Sequence, residues 1–490
     1  MKLKLKKFEV SAGRPIIFLH KDDAREIDIN INDRAEIIFK DKKIIGRVDI
    51  LDNFLKSGEV ALSDEIIDYL NIRPGEHIEL RIAALPRSAS LIMKKTNGKH
   101  LTREEMFAIV KDIVDNALTE VEIAQFVVAN YKNGMSHEET IYLTEAMYKT
   151  GSILSWNEKI IADKHSIGGI AGNRTTPIVV SICAAAGVIM PKTSSRAITS
   201  AAGTADTIET LAKVDFPASK LKEIVKKTNA CLAWGGSLGL APADDKLIKV
   251  ERMLNLDPEG QLLASILSKK LAVGSTHVLI DIPYGERAKV TKKEAAHLRN
   301  HFLALAKDFH LKMKVILTDG SQPIGNGIGP VLEMLDILRV LKQDSPPIDL
   351  QKKAILLAGE LLELVGKAKK SEGNSMALEI LESGLAYKKF EEIISAQGRK
   401  KNGLKLASYK HDIRAKSSGE IQSIDNKAIN FLAAILGCPY DKGSGIYLHK
   451  HVYDKIEKNE ALITFYSDSK EKLRDALQAY NKKQPITIWS

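Results

Sequence analysis

Ile161-Ala-Asp-Lys164-His165-Ser166-Ile-Gly168-Gly169-Ile-Ala-Gly172-Asn-Arg174-Thr175-Thr176-Pro177 is the stretch that decides how this chain is built. A short run feeds a loop that carries a cation, a histidine and a hydroxyl, and a glycine-rich turn follows. Thr175-Thr176-Pro177 then opens an apolar helix expected over 175–187, with a threonine as cap and the proline in its first turn. Glycines let backbone N–H groups approach an anion closely. A helix N-terminus adds free N–H groups and a partial positive charge. Lys164 adds a full charge, and Ser166 and Thr175 add donors, so the segment has the parts of a phosphate site. The glycine spacing is neither GxxxxGKS/T nor GxGxxG, which argues against a nucleoside-triphosphate or dinucleotide loop. A glycine-rich turn alone is more often structural than not; the lysine, histidine and serine just before it favour a site.

A second loop follows one strand later, Pro191-Lys-Thr-Ser194-Ser195-Arg196-Ala197-Ile198-Thr199-Ser200-Ala-Ala-Gly203-Thr204-Ala-Asp206. It is dense in hydroxyls and ends in Gly-Thr at the start of another helix. The bland reading is a polar turn with a cap at Thr204. Two anion-type loops at successive strand ends fit ligand binding at the carboxyl ends of strands in an α/β frame.

Outward from this segment, Val188-Ile-Met190, Val278-Leu-Ile-Asp281 and Val315-Ile-Leu-Thr318 are short apolar runs that alternate with helical segments at 175–187 and 292–307. That alternation predicts a central α/β domain over 158–400 with a mostly parallel sheet. Residues 1–86 are β-rich: Ile16–His20, Ala35–Phe39, Lys43–Asp49 and His77–Ile82 predict strands, as does the alternation of Leu3, Leu5 and Phe8. Ser63 is placed to cap one short helix, and a small closed barrel would hide the strand edges. Residues 87–157 predict a helical lobe. Thr102-Arg-Glu-Glu105 reads as a capping box and Ser136 as another cap. The helical stretch 243–272 is expected to return to that lobe. The helical run 376–397 ends near Lys401, and 401–490 predicts a C-terminal α+β domain. The fold class is thus α/β multidomain.

Hydrophobic residues make up 44% and charged residues 27% of the 490, an ordinary globular balance. The net charge of +10 suits small anions, because the lysines are scattered and aromatics are only 6%, without a basic stripe for nucleic acid. Cys183, Cys231 and Cys438 are far apart, with no zinc spacing, which predicts small buried thiols in a reducing compartment. No apolar run reaches a membrane-spanning length, and Lys2–Lys7 is followed by no signal-peptide core. The expectation is a cytoplasmic protein, with no metal-ligand cluster and no cofactor.

Lys164-His165-Ser166-x-Gly168-Gly169, then Ser-x-Arg and Gly-Thr, then Ala264-Ser265-Ile-Leu-Ser-Lys269-Lys270 and Leu317-Thr-Asp resemble the thymidine and pyrimidine-nucleoside phosphorylases over most of 100–490. Within that family the chain looks most like the long branch that includes the archaeal AMP phosphorylases. Its marks are the extra N-terminal domain, Asp257-Pro-Glu-Gly-Gln261 and Asp319-Gly-Ser-Gln-Pro-Ile-Gly-Asn-Gly-Ile-Gly-Pro330. The resemblance implies a phosphate site at Lys164, Ser166, Thr175, Ser194 and Thr204. It implies a nucleotide site lined by Gly169, Ser195 through Ser200, Thr204, Ser265 and Lys289, with Arg196, Ser265 and Lys269 toward base or sugar. In this branch Asp257 becomes the proton donor to the leaving base; on residues alone it is equally a helix N-cap. His165 either hydrogen-bonds the base or orders its loop.

One departure bears on the substrate. Pyrimidine-specific members carry an arginine that reads the thymine edge at the position held here by Val250; Arg252 is near but out of register. Loss of that bidentate donor favours another base. The expected reaction is phosphorolysis of a nucleoside 5′-monophosphate to free base and ribose 1,5-bisphosphate. Alternatives are a thymidine phosphorylase, a phosphoribosyltransferase needing magnesium, for which Asp206 is thin support, and a nucleic-acid-binding protein. The family also implies a homodimer or larger homo-oligomer.

Overall fold

Alternating burial along the first strands closes a barrel. In Lys2–Leu5, Ile16–Leu19 and Arg34–Phe39 every second side chain is buried, and Leu3, Leu5, Ile17, Leu19, Ala35 and Ile37 fill one interior. The six strands run in the order Lys2–Leu5, Glu59–Leu62, Ile16–Leu19, Lys42–Ile50, Arg34–Phe39, His77–Ile82 and back to the first, so no strand edge is left open. The strand Glu59–Leu62 and the helix Lys21–Glu26 carry too short a pattern to be legible in the sequence, whereas the helix Arg87–Thr96 falls within the expected helical lobe. Phe8 lies beyond the first strand, packed instead on the rings of Phe18 and Phe54. Ser63 starts its helix without a side-chain cap, because its hydroxyl accepts from Ile16 N–H and donates to the Arg14 carbonyl.

The computed structural model describes residues 1–197, 200–401 and 403–489. The expected nucleotide-site residues Ile198 and Thr199 lie outside the described residues. Two compact units divide the chain, one of residues 1–150 with 242–265, the other of residues 151–241 with 266–490.

The first unit joins the barrel to a helical lobe. Arg34 on the barrel donates to the Ala117 carbonyl at 3.0 Å and pairs with Glu122. Thr102, Thr119 and Ser136 each form a capping box at the start of Arg103–Val114, Glu120–Asn133 and His137–Lys149. The returning stretch is two helices rather than one, Pro242–Leu254 and Glu259–Val273, and the boundary between the units falls inside the second. Asn255 takes a left-handed conformation (φ 52°) and Pro258 follows, which breaks the helical run there.

The second unit is built on parallel strands. Lys312–Asp319, His277–Tyr284 and Ala162–Ser166 pair in that order, and Met190–Ser194 pairs with Ala230–Trp234. A lone parallel bridge between Ile161 and Ile189 links the two pieces. The chain runs outward from Ala162–Ser166 in one direction and from His277–Tyr284 in the other. The crevice between those two strands, at their carboxyl ends, is therefore the topological switch point. The helical run expected over 376–397 is two helices, Gly373–Glu382 and Leu385–Ala396, broken at Gly384.

The C-terminal region adds two small antiparallel sheets and the helix Asn426–Leu436. One of those sheets takes its edge strand, Gly327–Ile328, from the glycine-rich motif Asp319–Pro330. The glycines there serve close backbone packing: a Cβ on Gly327 would lie 2.4 Å from the Leu332 carbonyl oxygen. The three cysteines are buried, and burial raises each thiol, Cys231 to about 12.

Candidate phosphate and nucleotide site

Lys164, His165 and Ser166 are not in a loop. Parallel pairing with His277–Tyr284 continues through Ser166, opposite Asp281, so the three residues end the strand. Strand geometry then sends alternate side chains to opposite faces, and the two faces do different things.

On one face lies Lys164, 1% exposed. Its ammonium donates to the Thr175 hydroxyl at 2.8 Å and the Thr176 hydroxyl at 3.4 Å. Thr175 does not cap the helix Thr176–Ala185 through its side chain, because that hydroxyl is engaged by the lysine; Pro177 sits in the first turn as expected. Burial lowers the Lys164 ammonium to about 8, although Asp281 opposes the drop. Asp281 is itself buried, accepts from the Thr318 hydroxyl at 2.6 Å and pairs with Lys353 at 3.2 Å. Burial works to raise its carboxyl, but Lys353, then Lys164 and Thr318, outweigh it and hold the group below its ordinary range. A cation with a lowered pKa at a helix N-terminus gains from an anion brought beside it.

The glycine turn that follows is shaped by contact. Gly172 has φ +68°, and a Cβ there would lie 2.3 Å from the Ile324 carbonyl oxygen. Gly169 has φ +90°, and its Cβ would sit 3.0 Å from Cβ of Lys289. Gly169 and Lys289 thus pack against each other beyond the carboxyl ends of the two strands. Asn173 donates to Ser166 Oγ at 3.4 Å.

On the opposite strand face is a buried cluster that sequence reasoning missed. Asp163 pairs with Lys270 at 2.7 Å and with Lys192 at 3.3 Å. Burial again pushes the carboxyl up, and the two lysines outweigh it; burial lowers the Lys270 ammonium to about 7. His165 shares this face. Burial first, and then Lys270, Lys192, Lys164 and Lys269, lower its imidazole well below 6.5. At neutral pH His165 is therefore an uncharged hydrogen-bonding group.

The second loop begins later than the sequence suggests. Pro191 through Ser194 belong to the strand Met190–Ser194, which continues because each residue pairs with Ala230–Trp234. Ser195 is exposed, while Arg196, Ala197 and Ser200 are half-buried. Arg196 is bidentate to Glu209 at 2.9 Å, contacts Asp206 at 3.1 Å and stacks over Trp234. Those hydrogen bonds push Glu209 down to about 2. Asp206 is taken up on both oxygens: one accepts from Ala197 and Gly203 N–H, the other meets Arg196 and Lys442. The helix Thr204–Ile208 has Gly203, not Thr204, at its cap position.

Arg174 ties the two loops together. It donates to Thr204 Oγ1 at 3.2 Å and to the Ala202 carbonyl at 2.5 Å, and pairs with buried Glu333 at 2.6 Å. Within the second unit, then, the consecutive residues Asn173, Arg174 and Thr175 bond Ser166, Thr204 and Lys164 respectively, and Ser194 ends the next parallel strand. Lys269 and Lys289 are half-buried in this unit. Asp257 and Ser265 belong to the first unit, Asp257 exposed between two helices and Ser265 half-buried. Val250 is 2% exposed in the core of the helical lobe, and Arg252 is exposed.

A cation and hydroxyls at a helix N-terminus, on the carboxyl edge of parallel strands, are placed as an anion site requires, and the domain that carries them is an α/β domain of the glycosyl transferase type. Residues 89–151 match the glycosyl transferase family helical bundle domain, 158–387 its a/b domain and 420–487 the pyrimidine nucleoside phosphorylase C-terminal domain. The chain belongs to the thymidine/pyrimidine-nucleoside phosphorylase family, in the long branch with the AMP phosphorylases. It is 43% identical over 493 residues to an AMP phosphorylase of Thermococcus kodakarensis, covering 100% of this chain and 98% of that one. An AMP phosphorylase of Methanocaldococcus jannaschii is 41% identical over 478 residues, covering 96% and 95%. A Legionella pneumophila protein with a provisional thymidine phosphorylase name is 40% identical over 492 residues, covering 99% and 95%. The crystal structure of anthranilate phosphoribosyltransferase from Thermus thermophilus shares the fold, with TM-score 0.52 at 19% identity, covering 62% of this chain and 98% of that one. No helix among the described residues is long and apolar enough to cross a membrane.

Proposed function

We propose that this enzyme cleaves the N-glycosidic bond of a nucleoside 5′-monophosphate with inorganic phosphate, releasing free base and ribose 1,5-bisphosphate. The observation that carries the reading is the buried Lys164 ammonium beside Thr175 at a helix N-terminus, a ready cradle for a phosphate nucleophile. Phosphate attacks C1′ while the glycosidic bond loosens, and the positive charge that develops on the ribose is met by the incoming anion. Lys164, Ser166, Thr175, Ser194 and Thr204 hold that anion in line. Asp257 protonates the departing base. Neutral His165 hydrogen-bonds the base or orders its loop, and Gly169, Ser195, Arg196, Ala197, Ser200, Thr204, Ser265, Lys269 and Lys289 line the nucleotide. No cofactor is assigned, because phosphate is the co-substrate.

Identity near 40% to proteins with two different substrate names leaves the base to be decided by the site. Valine at position 250, where pyrimidine-specific members carry a base-reading arginine, supports a base other than thymine. A phosphoribosyltransferase reading needs a carboxylate for magnesium, and Asp206 already has both oxygens engaged. Free-base release from AMP, CMP, UMP and thymidine, with phosphate and with or without a chelator, tests the reading. Release from AMP unaffected by chelation is expected; release from thymidine alone would overturn it. A homodimer or larger homo-oligomer is proposed on the family resemblance, and light scattering tests it.

A further inference from the structure

We propose that the C-terminal helix Asn426–Leu436 positions both anion-binding loops, acting through the side-chain amides of Asn426 and Asn430. The two asparagines are one turn apart and so share a face of the helix. Both are buried, Asn426 completely, on a helix whose other buried residues, Ala428, Ile429, Leu432, Ala433 and Leu436, are apolar. Oδ1 of Asn426 accepts the Ala171 N–H of the first loop at 3.2 Å, and its Nδ2 donates to the Gly320 carbonyl at 3.1 Å. Oδ1 of Asn430 accepts the Ala201 N–H of the second loop at 3.0 Å. One helix face therefore holds one backbone N–H from each loop.

Both attachment points lie within a few residues of side chains assigned above to phosphate, Ala171 before Thr175 and Ala201 before Thr204. Ala171 precedes Gly172, whose turn leads through Arg174 to Thr175, and the Ala171 carbonyl accepts from Ile324 N–H at 3.0 Å. Ala201 precedes Ala202, whose carbonyl accepts from Arg174, and the turn at Gly203 leads to Thr204. Arg174 fixes the loops to each other, and the asparagine pair fixes them to the C-terminal helix. Removing an amide strands a buried N–H, and the loop must shift to satisfy it. Such a shift moves the hydroxyls that bind phosphate, and catalysis is sensitive to small misplacement. The bland alternative is that the amides only satisfy buried donors and contribute to stability.

The hydrogen bonds make the amide orientations unambiguous for Asn426, since one end faces a donor and the other an acceptor. That asymmetry separates the variants. Asn430→Asp keeps the acceptor for Ala201. Asn426→Asp keeps the acceptor for Ala171 but turns the other end into an oxygen facing the Gly320 carbonyl.

The proposal rests on the phosphate site assigned above, and the test is titration of the full chain with inorganic phosphate by calorimetry, with nucleotide turnover measured beside it. Asn430→Ala is expected to weaken phosphate binding and raise the phosphate KM about tenfold, with Asn430→Asp within about twofold of the wild type. Asn426→Asp is expected to behave like Asn426→Ala. If Asn430→Ala is not recovered folded, Asn430→Ser is measured in its place. A folded variant with lowered thermal stability but wild-type phosphate affinity would overturn the proposal. The calorimetric titration contains no nucleotide, so a wild type that binds phosphate yet releases no base from AMP refutes the substrate reading alone.

Discussion

Replacing Lys164 by methionine should make the resting protein more stable while abolishing its phosphate site. The side chain is 1% exposed, and burial lowers its ammonium from 10.5 to about 8. At 1.36 kcal/mol per unit, keeping it protonated in the fold at pH 7 costs about 3 kcal/mol relative to the unfolded chain. Methionine has nearly the same shape and no charge to desolvate. It also leaves the Thr175 and Thr176 hydroxyls without their donor, which takes back about 1 kcal/mol. The net gain at pH 7 in phosphate-free buffer is therefore about 2 kcal/mol. Its pH dependence has a definite sign. The folded pKa lies below the unfolded one, so the unfolded chain binds more protons between pH 8 and 10.5, and wild-type stability rises across that window. Methionine does not titrate, so the variant's advantage shrinks over the same window. Denaturant unfolding between pH 7 and 10.5 measures the stability, and calorimetry measures phosphate affinity, which should fall at least about a hundredfold. A Lys164→Met protein less stable than wild type at pH 7 would refute the reasoning, because the ammonium's hydrogen bonds would then return more than its burial costs.

Three further outcomes follow from the geometry. Asp257→Asn should lower kcat for AMP about a hundredfold with the phosphate KM nearly unchanged, the mark of a lost proton donor; steady-state kinetics checks the split. Gly172→Ala should lower kcat/KM by more than about tenfold, since its Cβ would fall 2.3 Å from the Ile324 carbonyl oxygen at φ +68°; the same assay, with circular dichroism to verify folding, reads it. Val250→Arg should not confer thymidine phosphorolysis but should destabilise the lobe by about 2 kcal/mol or more, because it forces an unpaired cation into an apolar core; a thermal melt and a thymidine assay read both effects.

Much of the candidate anion site was legible because it is written in one short stretch of chain. Lys164, Ser166, Thr175 and the glycines between them lie within a dozen consecutive residues, and the helix start after Gly172 needs only local turn chemistry. The capping boxes at Thr102 and Ser136 were legible for the same reason: donor and acceptor are one helical turn apart. Strand limits were less so. His165 and Pro191 read as loop residues, yet pairing with distant strands draws both into the sheet.

By itself, then, the order of residues carried the α/β pattern, the resemblance to the phosphorylase family, the lysine followed by a glycine turn, and the absence of an arginine at position 250. Only the tertiary structure decided what each group does there. Parallel pairing turned neighbours Asp163 and Lys164 to opposite faces, one into a buried cluster with Lys192 and Lys270, the other toward Thr175 and Asp281. It gave the Thr175 hydroxyl to Lys164 rather than to its own helix. It brought Glu333 to Arg174, and Asn426 and Asn430 to the two loops. The physical reason is range. A turn or a cap is decided by residues a few bonds away, whereas the partner of a buried charge or amide is chosen by packing between segments far apart in the chain, and no local pattern encodes it.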